Sequence, residues 1–141
     1  MRRFASGVGL GTLFLAPRGR IDRRPFVVGV IVLIAALALF QWLAVGEWWH
    51  VPVGWLVYPA WVYAAVCVLA KRLHDRGRSG WWAAGVLIGF NYAWPYPDSL
   101  VGAAGLVVLL WAAVELGWMK GEEGANRHGP PLNAPTTPAR V

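Results

Sequence analysis

Four long apolar runs divide the polar residues of this chain into short blocks. Phe26–Val45 holds 20 residues with Gln41 as its strongly polar side chain, and Val53–Ala70 holds 18 with no charge. Trp81–Trp94 has 14 residues, and Leu100–Trp118 has 19 with Glu115 near its end. A helix on a water-soluble core would carry a polar stripe at helical spacing, and the first two runs carry none. An apolar run in lipid must satisfy its backbone groups within itself, so each is expected to be helical. At ~1.5 Å per residue, 20 residues reach ~30 Å, the thickness of the hydrocarbon layer. The third run reaches only ~21 Å, so it calls for local thinning of the bilayer or a start within the head-group layer. The expected fold is therefore all-α: an integral membrane bundle of four transmembrane helices (26–45, 53–70, 81–94 and 100–118), with residues 1–25 and 119–141 outside it.

Within the runs, Pro59 lacks an N–H and should kink the second helix near Trp55. Gly85 and Gly89 stand at the spacing that lets two helices approach closely, and packing within the chain is the expected use. Of the ten tryptophans, Trp42, Trp48, Trp49, Trp55 and Trp94 fall at one set of run ends. Trp81, Trp82 and Trp118 fall at the other, where an indole anchors at head-group level. Cys67 sits inside an apolar run and is expected to behave as a small buried hydrophobe.

Composition agrees with the pattern. Hydrophobic residues make up 57% and charged residues 14% of the 141, with a mean hydropathy of +0.48. The net charge is +6. A basic balance can mark a nucleic-acid binder, but these arginines flank apolar runs, which makes anionic head groups the nearer partner and nucleic acid an unexpected one. All 13 lysines and arginines lie before the first run, between the second and third, or after the fourth. By the positive-inside rule those segments are cytoplasmic, which places both termini inside (N-in/C-in) and the chain in a bacterial inner membrane. The first twenty residues have a basic start, but glycines break the apolar stretch and no small-residue cleavage site follows. They are expected to be retained, with a short helix on the membrane surface. The Pro- and Gly-rich end of the chain is expected to be disordered over its last dozen residues.

Three charged blocks remain: "GRIDRRPF" (Gly19–Phe26), "KRLHDRGRSGWW" (Lys71–Trp82) and "GEEGANRHGPP" (Gly121–Pro131). Together they carry a resemblance to a known family. Phe14 followed by Gly19-Arg20 and Arg23, the central "RLHD-x-GRSGWW", and the closing "G-x-x-G-x-N-R-[YH]-G-P" resemble the YhaH-like small bacterial inner-membrane proteins, a family built on a domain of unknown function. The resemblance runs from about Phe14 to Pro131. It implies a four-helix membrane protein and brings no activity with it. His128 departs from the pattern, which has tyrosine there.

Read residue by residue, the central block makes a capped hairpin. Asp75 can pair with Lys71 or Arg72 along a helix, Gly77 suits a helix C-terminus, and Ser79 can cap the next helix at Trp81 or Trp82. Glu115 is expected to pair with Lys71, Arg72 or Lys120, or to snorkel. The candidate cluster, structural or binding anionic lipid, is Arg20, Arg72, His74, Asp75, Arg76, Arg78, Asn126 and Arg127. Guanidinium forks fit phosphate oxygens, which makes the arginines its ligand-facing members. A hydrolase set of His74, Asp75 and Ser79 is disfavoured, since neighbours on a helix point apart and no nucleophile elbow appears. A metal held by His74, His128 and Asp75 lacks the motif spacing. No cofactor and no enzymatic activity are expected. Membrane lipids are the expected partners, with a second copy or another membrane protein as further candidates. The alternative function is a small oligomeric transporter or channel.

Overall fold

A computed structural model describes residues 10–94 and 96–129. The expectations for the start of the chain before Leu10 and for its last dozen residues lie outside these. The architecture is all-α: α1 Leu10–Leu15, α2 Arg23–Ala44, α3 His50–Asp75, α4 Trp82–Ala93 and α5 Leu100–Ala112, with α5 continuing as a π-helical segment, Ala113–Trp118. In that segment the Met119 N–H reaches back to the Val114 carbonyl at 3.2 Å, an i→i+5 bond. Three helices are long and apolar enough to cross a membrane: α2, α3, and α5 with its π-helical continuation. The short fourth element, α4, has 12 residues and an ~18 Å axial rise.

Local chemistry sets the ends. Asp22 caps α2, its carboxylate accepting the Arg23 N–H at 2.7 Å. Ser99 caps α5 through the Gly102 N–H at 3.1 Å. The α3 helix runs on through the basic block to Asp75 instead of stopping at Ala70. It ends where Gly77 takes φ +66°, with the Gly77 N–H on the His74 carbonyl and the Arg78 N–H on the Leu73 carbonyl, the paired bonds of a Schellman cap. Ser79 contributes a longer 3.4 Å bond to the Trp81 N–H, and α4 starts one residue later with no side-chain cap. Pro59 lies inside α3.

Val27, Val28, Ile31 and Val107 face outward, while Leu33, Leu37, Val68 and Leu73 are buried. Gly89 meets Gly105: a Cβ on Gly105 would lie 2.5 Å from the Gly89 carbonyl oxygen, so α4 and α5 approach backbone to backbone there. Gly85 has open space around it and takes no part in that approach. The Trp61 indole N–H, at mid-span, donates to the Leu33 carbonyl at 2.7 Å, which joins α3 to α2. The best-packed core gathers at one end, around Ile21, Phe26, Val68, Leu73, Ala83 and Leu116. It supports the charged site above it.

Candidate functional site

The three charged blocks, more than a hundred residues apart at their extremes, meet at that end of the bundle. Their centre is Asp75, the last residue of α3, which is 3% exposed. One carboxylate oxygen pairs with Arg72, one turn earlier on the same helix, and the other pairs with Arg20 at 3.0 Å. Both guanidiniums are buried, Arg72 at 0% and Arg20 at 7% exposure. Such burial is tolerable only when each charge is compensated and each N–H has an acceptor.

Backbone carbonyls complete the arginine shells. Arg72 donates to the Leu116 carbonyl at 2.8 Å, the Met119 carbonyl at 2.5 Å and the Ile21 carbonyl at 3.4 Å. Leu116 belongs to the last turn of the π-helical segment and Met119 follows it directly, so a buried cation closes the negative end of the final helix. Arg20 donates to the carbonyls of Glu122 (2.6 Å), Gly124 (2.9 Å), Gly129 (3.4 Å) and Asp75 (3.5 Å). It thereby holds the segment after the last helix against the end of α3. The Glu122 N–H adds a 2.9 Å bond to the Asp75 carbonyl, and the Asn126 amide donates to the His74 carbonyl at 3.0 Å and to the Glu122 carboxylate at 2.8 Å. Gly121 must be glycine for this to close, because a Cβ there would overlap the Asp75 carboxylate.

Two further groupings flank this knot. Lys71, 3% exposed, donates to the carbonyls of Thr12 and, at 3.0 Å, Leu13, and Tyr63 donates to the Leu15 carbonyl at 2.9 Å. These bonds satisfy the C-terminal end of α1, so that helix is docked on α3 through buried Leu13 as well as through polar groups. On the other flank, Glu115 in the π-helical segment accepts from Arg76 and Arg78, both at 3.1 Å. Arg78 also lies over the Trp111 ring at 5.5 Å, and Arg76 reaches the Lys120 carbonyl. The Arg76 Nε is buried without a hydrogen-bond partner among the described residues. His74 stacks on His128 with ring centroids 3.9 Å apart, its Nδ1 3.3 Å from the Gly19 carbonyl oxygen.

A family profile described as protein of unknown function (DUF805) matches residues 14–130, most of the chain. The chain belongs to the DUF805 family. Among curated proteins it is 34% identical over 121 residues to the uncharacterized protein YiiR of Escherichia coli K12, covering 79% of this chain and 82% of that protein. The same figures hold for YiiR of Escherichia coli O157:H7. No solved structure matches.

In this DUF805 chain the candidate residues divide by role. Arg20, Arg72, Asp75 and Asn126 form the knot, joined by the His74 carbonyl. Arg76 and Arg78 sit apart from it on Glu115, and Arg127 is exposed, with its Nε 3.1 Å from the His128 ring. Lys71 and Arg72 do not serve Glu115, because the first is committed to α1 and the second to Asp75 and the final helix. The carbonyls of Leu116, Met119 and Glu122 carry no signal in a sequence block, since a backbone acceptor can belong to any residue, whereas Gly121 is the first glycine of the closing motif. His74, Asp75 and Ser79 make no hydrogen bond to one another: Asp75 lies between arginines and His74 lies against His128. Among the described residues, no three His, Cys, Asp or Glu side chains gather as a metal site.

Proposed function

We propose that this chain is a bacterial inner-membrane protein of the YhaH-like type, crossing the bilayer four times with both termini in the cytoplasm. Its cytoplasmic end is held rigid by the Arg20–Asp75–Arg72 knot and engages anionic lipid through its remaining basic residues, without catalysis. The observation that carries this reading is the division of the cations. Arg20 and Arg72 spend their donors on protein acceptors, whereas Arg18, Arg23, Arg24, Lys120 and Arg127 are exposed around the same end. None of these five takes part in a salt bridge among the described residues. A rim of this kind suits a negatively charged membrane surface, at about 1 kcal/mol per basic residue.

Chain direction supports four crossings. Asp22, Asp75 and Met119 lie together at the basic end, so α2 leads away, α3 returns and α5 returns again. The short α4 therefore has to carry the chain outward between them, and its length implies a thinned bilayer or tilted neighbours. The basic residues at that end make it the cytoplasmic one. The groove walled by Phe26, Leu33, Trp61 and Phe90 is lined by carbon, which weighs against a polar translocation path there.

The test is lipid retention. Purified in mild detergent, the chain should co-purify with phosphatidylglycerol in excess over zwitterionic lipid, and the excess should fall with salt. R18Q/R24Q/K120Q/R127Q should remove most of it while leaving the fold intact. An unchanged lipid ratio in that variant would sink the rim reading. For topology, a reporter active only outside the cytoplasm and fused after Val141 should stay dark, and a bright reporter would reverse the orientation.

A further inference from the structure

A second feature lies below the knot. Between α2 and the α4–α5 pair, with α3 as its floor, runs a groove of about 370 Å³. Its walls include Phe26, Val30 and Ile34 of α2, Trp61 of α3, Trp94 after α4, and Ala113 of the π-helical segment. The volume falls in the range of small-molecule sites, roughly 300–1,000 Å³. An apolar cavity of about 150 Å³ already stays dry and takes an aromatic guest, so water is a poor filler for this larger one. Ile34, Trp94 and Ala113 are exposed at its margin, which makes it open to the side rather than sealed.

We infer that this groove holds one acyl chain of an anionic phospholipid from the cytoplasmic leaflet, with its phosphate at Arg23. The inference rests on the membrane orientation proposed above and goes beyond a surface rim. Depth is the first support. The α2 wall runs from Phe26, one turn inside the basic end, to Ile34, an axial distance of ~12 Å. That covers about one leaflet of a ~30 Å hydrocarbon layer. Charge complementarity is the second. Arg23 precedes Phe26, Val30 and Ile34 by 3, 7 and 11 residues, so it stands on the same helical stripe, one turn beyond the groove's basic end. Its guanidinium is exposed and makes no hydrogen bond or salt bridge among the described residues, although its backbone N–H binds Asp22. Arg24 falls off that stripe, toward outward-facing Val27, Val28 and Ile31. The groove therefore joins a carbon-lined slot for a chain to one free cation for a head group.

The experiment counts lipid on the full chain. Native mass spectrometry from mild detergent should find a single phosphatidylglycerol that survives high salt, unlike the rim lipids. Ala113→Phe, at the exposed margin, should fill the slot and abolish that retained lipid while the salt-sensitive excess persists. Ala65→Phe, on the floor, should do the same. R23Q should keep a lipid bound but lower the preference for phosphatidylglycerol over phosphatidylcholine about fivefold, the preference carried by one basic residue near an anionic surface. In wild type, a phosphatidylglycerol with a photoreactive acyl tail should label Ile34 and Ala113 to saturation at one per chain, which decides the matter if both filled variants fail to fold. Retained lipid in both filled variants, labelling spread evenly over Val27, Val28 and Ile31, a bound isoprenoid, or a second copy seated in the groove would each overturn the inference. Loss of the salt-sensitive excess in the four-cation variant with the single lipid kept speaks to the rim alone.

Discussion

Asp75→Asn is the sharpest probe of the Arg20–Asp75–Arg72 knot. The substitution keeps the size of the side chain and one carbonyl acceptor, and it removes the negative charge that pairs with two buried guanidiniums. Arg72 would retain its bonds to the carbonyls of Ile21, Leu116 and Met119, and Arg20 its bonds to Glu122 and Gly124. The donors therefore stay largely satisfied, and the loss falls on charge compensation. Removing one partner of a buried pair costs about 3–5 kcal/mol. The retained carbonyls argue for the low end, about 3 kcal/mol, or roughly a hundredfold in the folded-to-unfolded ratio.

Two measurements read the outcome. Reversible unfolding in mixed micelles should show the lowered stability, with the midpoint shifted and the slope unchanged. Limited proteolysis should show where the damage falls. Because Arg20 binds both Asp75 and the carbonyls of the segment after the last helix, loss of Asp75 should expose residues 122–129 to cleavage before the helices yield. A control replaces the pair with apolar groups, Arg72→Met with Asp75→Leu, which removes both charges and should cost less than the sum of the single changes. Stability within about 0.5 kcal/mol of wild type for Asp75→Asn, together with unchanged cleavage, would refute the knot as a structural element, since that is what a surface position gives.

Three further outcomes follow from named contacts. Gly121→Ala should destabilise by about 2–3 kcal/mol, because its Cβ would overlap the Asp75 carboxylate and part a buried ion pair, whereas Gly124→Ala, with open space around it, should change unfolding by less than about 0.5 kcal/mol. Gly105→Val should separate α4 from α5 and lower stability by about 1–3 kcal/mol, while Gly85→Ala, facing open space, should be neutral or slightly stabilising in the same unfolding measurement. Glu115→Gln should cost about 1 kcal/mol, discounted because Arg78 is partly solvated, and should loosen the link from the π-helical segment to the α3–α4 turn, read as faster amide exchange at 76–80.

How much of this was legible in the sequence depends on the range of the interaction. The Schellman cap at Gly77 and the Arg72–Asp75 pair are local, and spacing alone points to both. The all-α character and the long apolar helices α2 and α3 follow from periodicity and length. The shortness of α4 was visible in its run, but the π-helical turn was not, since nothing in "AVELGW" distinguishes an i→i+5 ladder from an ordinary last turn. A helix through the basic block to Asp75 was legible in the spacing of Lys71, Arg72 and Asp75 and in Gly77, but the tertiary acceptors that consume the Lys71 and Arg72 side chains were not. Glu115 illustrates the same limit. Residues near it in the membrane frame suggested Lys71, Arg72 or Lys120, and its actual partners are set by which cations the knot leaves over.

That selection explains why charge alone could not apportion roles among the basic residues. The positive-inside rule places lysine and arginine on one face without ranking them. Backbone geometry does the ranking. Three helices end at this face with carbonyls unpaired, and an apolar setting makes each one costly to leave so. Lys71 meets the end of α1, Arg72 the end of the last helix, and Arg20 the end of α3 together with the segment beyond the last helix. Each of these cations is buried, and Asp75 offsets two of them. The cations that meet no such carbonyl among the described residues, Arg18, Arg23, Arg24, Lys120 and Arg127, are left exposed around the same end. The same residue types thus serve as helix caps or as surface charge according to whether a helix end lies within reach, and only the fold decides that.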